Sequence, residues 1–172
     1  MAIYSFGDAV PTIHPDAFVH EQATVIGNVT IGAESSIWPQ AVLRGDYGAI
    51  AIGARTSVQD GAVIHATAEL ATVVGDDCVI GHLAHLEGCV VEDGALVGTG
   101  SIVLHGAVVR AGALVAAAAL VPNGAEVPAG AMALGVPAKI RRDAVTPGMI
   151  GDMVPKYVAM GRRYRTSARR ID

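Results

Sequence analysis

Residues 97–127, cut into sixes, read VGTGSI VLHGAV VRAGAL VAAAAL VPNGAE V. Val97, Val103, Val109, Val115, Val121 and Val127 stand at one constant interval. That interval fits neither the 3.6-residue period of an amphipathic helix nor the alternation of a lone strand. It fits a hexapeptide repeat, in which every sixth side chain points inward and three hexads close one coil of a triangular β-solenoid.

Working outward, the same phase runs through Val74, Ile80 and Leu86, through Ile52, Val58 and Ile64, and through Val19, Val25, Ile31, Ile37 and Leu43. Counted from Val19 to Val127, this predicts about six coils, with residues 1–10 as a lead-in strand. The phase breaks three times. Three extra residues fall around Tyr47-Gly48-Ala49, four around Thr67–Leu70, and one residue is missing between Leu86 and Val91. Insertions of this size are expected to leave the solenoid as corner loops, where sites commonly sit.

The composition agrees with a narrow interior. Hydrophobic residues make up 52% of the 172 but aromatics only 4%, so the core is filled by small and branched side chains. The formal charge of −4 argues against a nucleic-acid surface over the whole chain. No run of apolar residues is long enough for a membrane span, and the first ten residues lack the pattern of a secretory signal. Cys78 and Cys89 do not make a disulfide framework, and with no leader the expected compartment is the cytoplasm.

Residues 1–138 read as the repeat domain and 139–172 as a tail. Met149, Met153, Tyr157, Met160 and Tyr164 recur at helical spacing, which predicts a capping helix over about 148–170. Its arginine-rich end suits the negative pole of the helix dipole.

A solenoid allows polar residues to be placed by their offset from the inward anchors. Arg44, His65 and Glu87 each follow an anchor by one residue (Leu43, Ile64 and Leu86) and should form a ladder on successive coils. Asp60 and His82 each follow an anchor by two and should stack on another edge, with Gln59 beside Asp60. Within one chain the two edges are separated by the core, and side-by-side association of subunits would bring them together. Arg44 with Asp46 or Asp60 can form a charge pair, while His65, His82 and Glu87 are zinc-donor types.

Arg44-Gly45-Asp46, Gln59-Asp60 with His65 five residues further on, Gly81-His82 and Gly88-Cys89 together resemble the gamma-class carbonic anhydrase family. The likeness runs from the first repeats to the terminal helix. It implies a left-handed parallel β-helix, against the usual right-handed crossover, and a homotrimer with metal sites between subunits. The metal would be zinc, or iron(II) or cobalt(II), and the reaction the hydration of carbon dioxide to bicarbonate. His65 and His82 match two of the family's three ligand histidines. The third position holds Glu87, five residues after His82, with His85 as the alternative third ligand. Arg44, Asp46, Gln59 and Asp60 match its interface and water-orienting positions. Glu69 in the short loop after His65 matches a proton shuttle weakly, and Tyr157 weakly resembles a tyrosine near the metal.

Two other readings stay open, the first of them because Glu87 stands in place of histidine. One is a non-catalytic trimer that binds a ligand or serves in assembly. The other is a hexapeptide-repeat acyltransferase using a histidine base with an acyl-CoA, against which stands the lack of a long protruding arm.

Overall fold

Each inward residue lies level with its counterpart one coil away. Val97 pairs with Ile80 on one side and Val115 on the other, Val109 with Val91 and Val127, and Leu86 with Ile64 and Val103. The computed structural model, which describes residues 2–146 and 148–172, is a left-handed parallel β-helix of about seven coils with one C-terminal helix.

The early coils are formed by β1 (Ala2–Tyr4), β2 (Thr12–Ile13), β3 (Phe18–Val19), β4 (Thr24–Ile31), β5 (Ser36–Ile37), β6 (Val42–Ile52) and β7 (Ser57–Val58). The middle coils follow with β8 (Val63–His65), β9 (Thr72–Val74), β10 (Val79–Ile80), β11 (His85–Glu87), β12 (Val90–Val91), β13 (Leu96–Val97) and β14 (Ile102–Val103). The last are β15 (Val108–Val109), β16 (Leu114–Val115), β17 (Leu120–Val121), β18 (Glu126–Val127), β19 (Met132–Leu134) and β20 (Lys139–Arg141). One face stacks β3, β5, β7, β10, β13, β16 and β19, with β20 added antiparallel. The other two faces join through β4 and β6, which run on around a corner.

Two expectations change. Ile13 stands six residues before Val19, and β1 and β2 both pair with β4, setting Ile3 level with Val25 and Ile13 level with Ile31, so the first coil begins earlier than the count assumed. The three extra residues around Tyr47 form no separate loop. They lie within the unbroken β6, opposite a register shift in β4, with Tyr47 protruding. The Thr67–Leu70 segment does form a turn, closed by the Thr67 amide on the Leu70 carbonyl and the Leu70 amide on the Thr67 hydroxyl. The one-residue deletion stands as read, with Val91 inside and level with Val74.

The core is made of branched chains. Val25, Ile37, Leu43, Ile64, Ile80, Leu86, Val97, Val109 and Val115 are wholly buried, and alanines fill the corners between them. Corner residues take left-handed backbone: Gly94, Gly100, Gly106, Gly112, Gly124 and Gly130 have φ between 62° and 69°, six residues apart. Glycine tolerates this conformation because it has no Cβ. Ala118 fills the same series at φ 57°. A second glycine column serves close approach instead, since a Cβ on Gly53 would stand 2.5 Å from the carbonyl carbon of Gly75 on the next coil.

Helix α1 (Val154–Ser167) is shorter than the expected 148–170. Pro155 sets its start, being tolerated in a first turn but not further in. The helix lies along the face of β3, β5 and β7 rather than over an end of the coils. Gly161 makes this approach possible: a Cβ there would sit 3.4 Å from Ser36 Cβ and 3.6 Å from Phe18 Cβ. No helix among the described residues is long and apolar enough to cross a membrane.

Candidate functional site

Two polar corners emerge, each built by stacking residues of equal offset. At the first, Arg44 pairs in register with His65, and His65 with Glu87, as the ladder predicts. Arg44 Nη1 donates to Asp46 Oδ2 at 2.6 Å, which selects Asp46 over Asp60 as its partner. His65 lies between two carboxylates, with Nε2 3.1 Å from Asp46 Oδ1 and Nδ1 2.8 Å from Glu87 Oε1. The other oxygen of Glu87 faces His85 Nε2 at 3.4 Å and His105 Nε2 at 3.7 Å. Tyr47 stands edge-on to the His65 ring.

This corner holds its carboxylates ionised. The hydrogen bond with His65 is the largest influence on Glu87 and, with His85 and His105, keeps it below the usual carboxylate range against the upward push of partial burial. For Asp46, burial pushes upward, but hydrogen bonds from Arg44 and His65 outweigh it and hold the group low. A carboxyl depressed in the fold stabilises above its unfolded value, near 4.3 for glutamate, and the contribution is lost as pH falls through the folded value. Glu87→Gln should therefore lower stability at neutral pH by about 1 kcal/mol. Denaturant unfolding across acid pH should show the gap from wild type closing as Glu87 protonates.

The second corner follows β7 and β10. Asp60 Oδ2 lies 3.0 Å from His82 Nδ1. The two are about half-exposed, whereas Gln59 beside them is 5% exposed. Leu83, next to His82, has left-handed backbone at φ 59° and an apolar side chain that is 67% exposed, reaching over Gly61 of the coil before. A leucine in that conformation stores strain, a feature that concentrates at functional sites. The N-terminal half of α1 closes the corner into a recess of about 290 Å³ lined by Trp38, Gln59, Asp60, His82, Lys156, Tyr157, Met160 and Tyr164.

Tyr157 lines the recess with His82, while Glu69 is exposed on its turn without an ion pair among the described residues. Trp38 and Lys156 were not singled out from the sequence, and Met160 and Tyr164 enter there only through the helical spacing. Trp38 could have been, because it follows Ile37 as Gln59 follows Val58. Its indole NH lies 3.0 Å from both Ser36 Oγ and Ser57 Oγ, which hold it at the rim. Cys78 and Cys89 are buried free thiols pushed up to about 12 by burial, which leaves them without nucleophilic character.

Among the described residues, no three histidine, cysteine, aspartate or glutamate side chains surround one metal position. His65 and Glu87 engage each other at the first corner, and His82 engages Asp60 at the second. The expected set of His65, His82 and Glu87 is therefore not assembled within one chain, and substituting His85 does not change that.

Residues 11–45 match the family described as bacterial transferase hexapeptide (six repeats). The carnitine operon protein CaiE of Escherichia coli is 45% identical over 96 residues, 56% of this chain and 49% of that protein. The matched region thus spans about half the length of that curated relative. Two solved structures align over nearly the whole chain. A Bacillus cereus protein provisionally described as an acetyltransferase is 36% identical, with a TM-score of 0.93 and coverage of 97% of this chain and 98% of that one. A hexapeptide transferase family protein of Anaplasma phagocytophilum is 35% identical, with a TM-score of 0.90 and coverage of 95% and 98%. With the inward hexads, the parallel coils and these full-length likenesses together, the chain belongs to the hexapeptide-repeat transferase family of left-handed β-helix proteins.

Proposed function

We propose that the protein transfers an acyl group from a thioester donor to a small hydroxyl- or amine-bearing acceptor, with His82 as general base. The observation that carries this is the Asp60–His82 contact of 3.0 Å on the rim of a recess. The negative charge of Asp60 beside Nδ1 favours a proton on that nitrogen, which leaves the lone pair of Nε2 for the acceptor. His65 is not equivalent, because carboxylates face both of its ring nitrogens.

The steps balance. Nε2 of His82 takes the proton from the acceptor as its oxygen or nitrogen attacks the thioester carbonyl. The tetrahedral intermediate collapses with cleavage of the carbon–sulfur bond, and the imidazolium returns the proton to the departing thiolate. The side-chain amide of Gln59 and the ammonium of Lys156 line the same recess and are donors for the developing oxyanion. The full-length likeness to proteins described as an acetyltransferase and a hexapeptide transferase supports this reading, and meets the objection that no long arm protrudes. The test is release of free thiol from acyl-coenzyme A thioesters offered with a panel of amines and alcohols. Folded protein that releases none with any acceptor would sink the proposal.

One observation favours a second reading, metal-dependent hydration of carbon dioxide. His65 and Glu87 share one ladder while His82 stands on a different edge, so a neighbouring subunit could complete the set. A zinc, iron(II) or cobalt(II) ion held there would acidify a bound water. This reading requires a homotrimer, hence a light-scattering mass near three times 17.5 kDa, and metal retained through purification without chelator. A metal-free protein or a stable monomer would leave acyl transfer alone.

A further inference from the structure

The recess beside His82 holds a charge that the transfer step leaves unbalanced. Lys156 is the one lysine or arginine lining it, and it forms no ion pair among the described residues. The one carboxylate there, Asp60, is engaged by His82 at 3.0 Å. We propose that the acceptor is an α-amino or α-hydroxy acid with an apolar side chain, its carboxylate held by Lys156 and its amine or hydroxyl facing Nε2 of His82. The proposal rests on the acyl-transfer reading and names the substrate class for it.

Three features of the fold carry it. First, Lys156 stands in the first turn of α1, at the positive end of the helix dipole. That turn holds no acidic residue, and Met153 before it supplies no side-chain cap. The potential on this side of the recess therefore favours an anion. Second, Gln59 is 5% exposed, yet its side-chain amide makes no hydrogen bond among the described residues. No side-chain nitrogen or oxygen fully shut off from solvent lacks a partner there. The little exposure Gln59 keeps is thus at its amide, which opens onto the recess it lines. An amide so placed is costly until a ligand meets it. Its N–H donors serve the oxyanion, and its carbonyl is left to accept from the amine or hydroxyl of the acceptor. Third, Trp38, Tyr157, Met160 and Tyr164 make the remaining wall apolar. Trp38 and Tyr164 meet edge to face with centroids 5.1 Å apart. A volume of about 290 Å³ admits a body of amino-acid size and no nucleotide-linked acceptor.

The charge and the shared donor narrow the class. One ammonium matches a monoanion, whereas a phosphate dianion would leave a charge facing Asp60 and is better met by arginine. Lys156 also has to serve the developing oxyanion. Its three N–H donors reach both groups when the carboxylate stands close to the nucleophile, as it does on a shared carbon.

Calorimetry on the full chain tests the subsite apart from turnover. The probes are L-phenylalanine, L-leucine and L-3-phenyllactate, each against its own carboxamide. At least one acid should bind about tenfold more tightly than its amide, the worth of a charge-assisted hydrogen bond. Lys156→Met keeps an apolar stem and removes the charge, and should bring that acid to the level of its amide without weakening the amide. Lys156 is exposed, so the circular dichroism spectrum should not change. The proposal is overturned if all three acids bind no better than their amides, or if Lys156→Met binds the acid as wild type does. With acetyl-coenzyme A as donor, the variant should raise KM for the acid alone and lower kcat for acid and amide together. Binding that depends on the carboxylate and on Lys156, without thiol release, would uphold the subsite and refute acyl transfer. Thiol release at equal kcat/KM with acids and amides would do the reverse.

Discussion

Val109→Asp and Val115→Asp should each abolish folding, leaving a far-ultraviolet circular dichroism spectrum without its β-sheet signal. Both side chains are wholly buried, each in its own column of apolar residues one coil apart: Val91, Val109 and Val127 on one face, Val97, Val115 and Ala133 on another. An unpaired carboxylate there costs several kcal/mol even after protonation, against a total stability of about 5–15 kcal/mol for a domain. The contact cannot be relieved by a local shift, because parallel coils share each inward position with the coils above and below. Arg110→Asp is the control, one residue along and pointing outward. Arg110 donates to Glu92 at 2.7 Å and Glu126 at 2.8 Å on the adjoining coils. The change would stack three carboxylates and lower the melting temperature, yet the spectrum should stay that of the folded protein. Equal behaviour of all three variants would show the inward phase to be misassigned.

His82→Ala should reduce acyl transfer by about 10² to 10⁴-fold, the usual contribution of a positioned general base. The side chain is about half-exposed, so folding and assembly should be unchanged. Asp60→Asn should give a smaller loss, because the ring would remain in place but the proton would no longer be fixed on Nδ1. His65→Ala serves as comparison and should leave the transfer rate near wild type while weakening the Arg44–Asp46–His65–Glu87 corner. Thiol release under saturating thioester reads all three. A rate unaffected in His82→Ala, or lost only in His65→Ala, would move the chemistry to the other corner.

Much of this was legible before any coordinates, and the reason is geometric. In a solenoid, sequence offset is a spatial coordinate, so Arg44, His65 and Glu87 could be stacked by counting, as could Asp60 and His82. Counting failed where the chain departs from hexads. Ile13 lies one hexad before Val19 and could have been counted, but Ile3 lies ten residues before Ile13, because the segment between them departs from hexads. Tyr47 was placed on a loop because the number of extra residues does not reveal that a strand can bend through a corner. The recess beside His82 was not foreseen because half of it comes from α1, whose docking position is set by Gly161 against Ser36 and Phe18 rather than by any period. The resemblance supplied the ligand set of His65, His82 and Glu87 as one shared between subunits, and within one chain these residues stand on two separate edges, as the offsets require.

The antiparallel β20 has an architectural consequence. A stack of parallel coils has no inherent length, and its last strand offers the same unpaired amides and carbonyls as every strand inside it. Here Met132, Ala133 and Leu134 are matched instead by Arg141, Ile140 and Lys139 running the opposite way. A reversed strand cannot hand the inward phase on to a further coil, and its outer side is exposed and carries two cations. The reversal at Gly135–Ala138 therefore closes this face of the column, removing the parallel edge of β19 as a template for another strand.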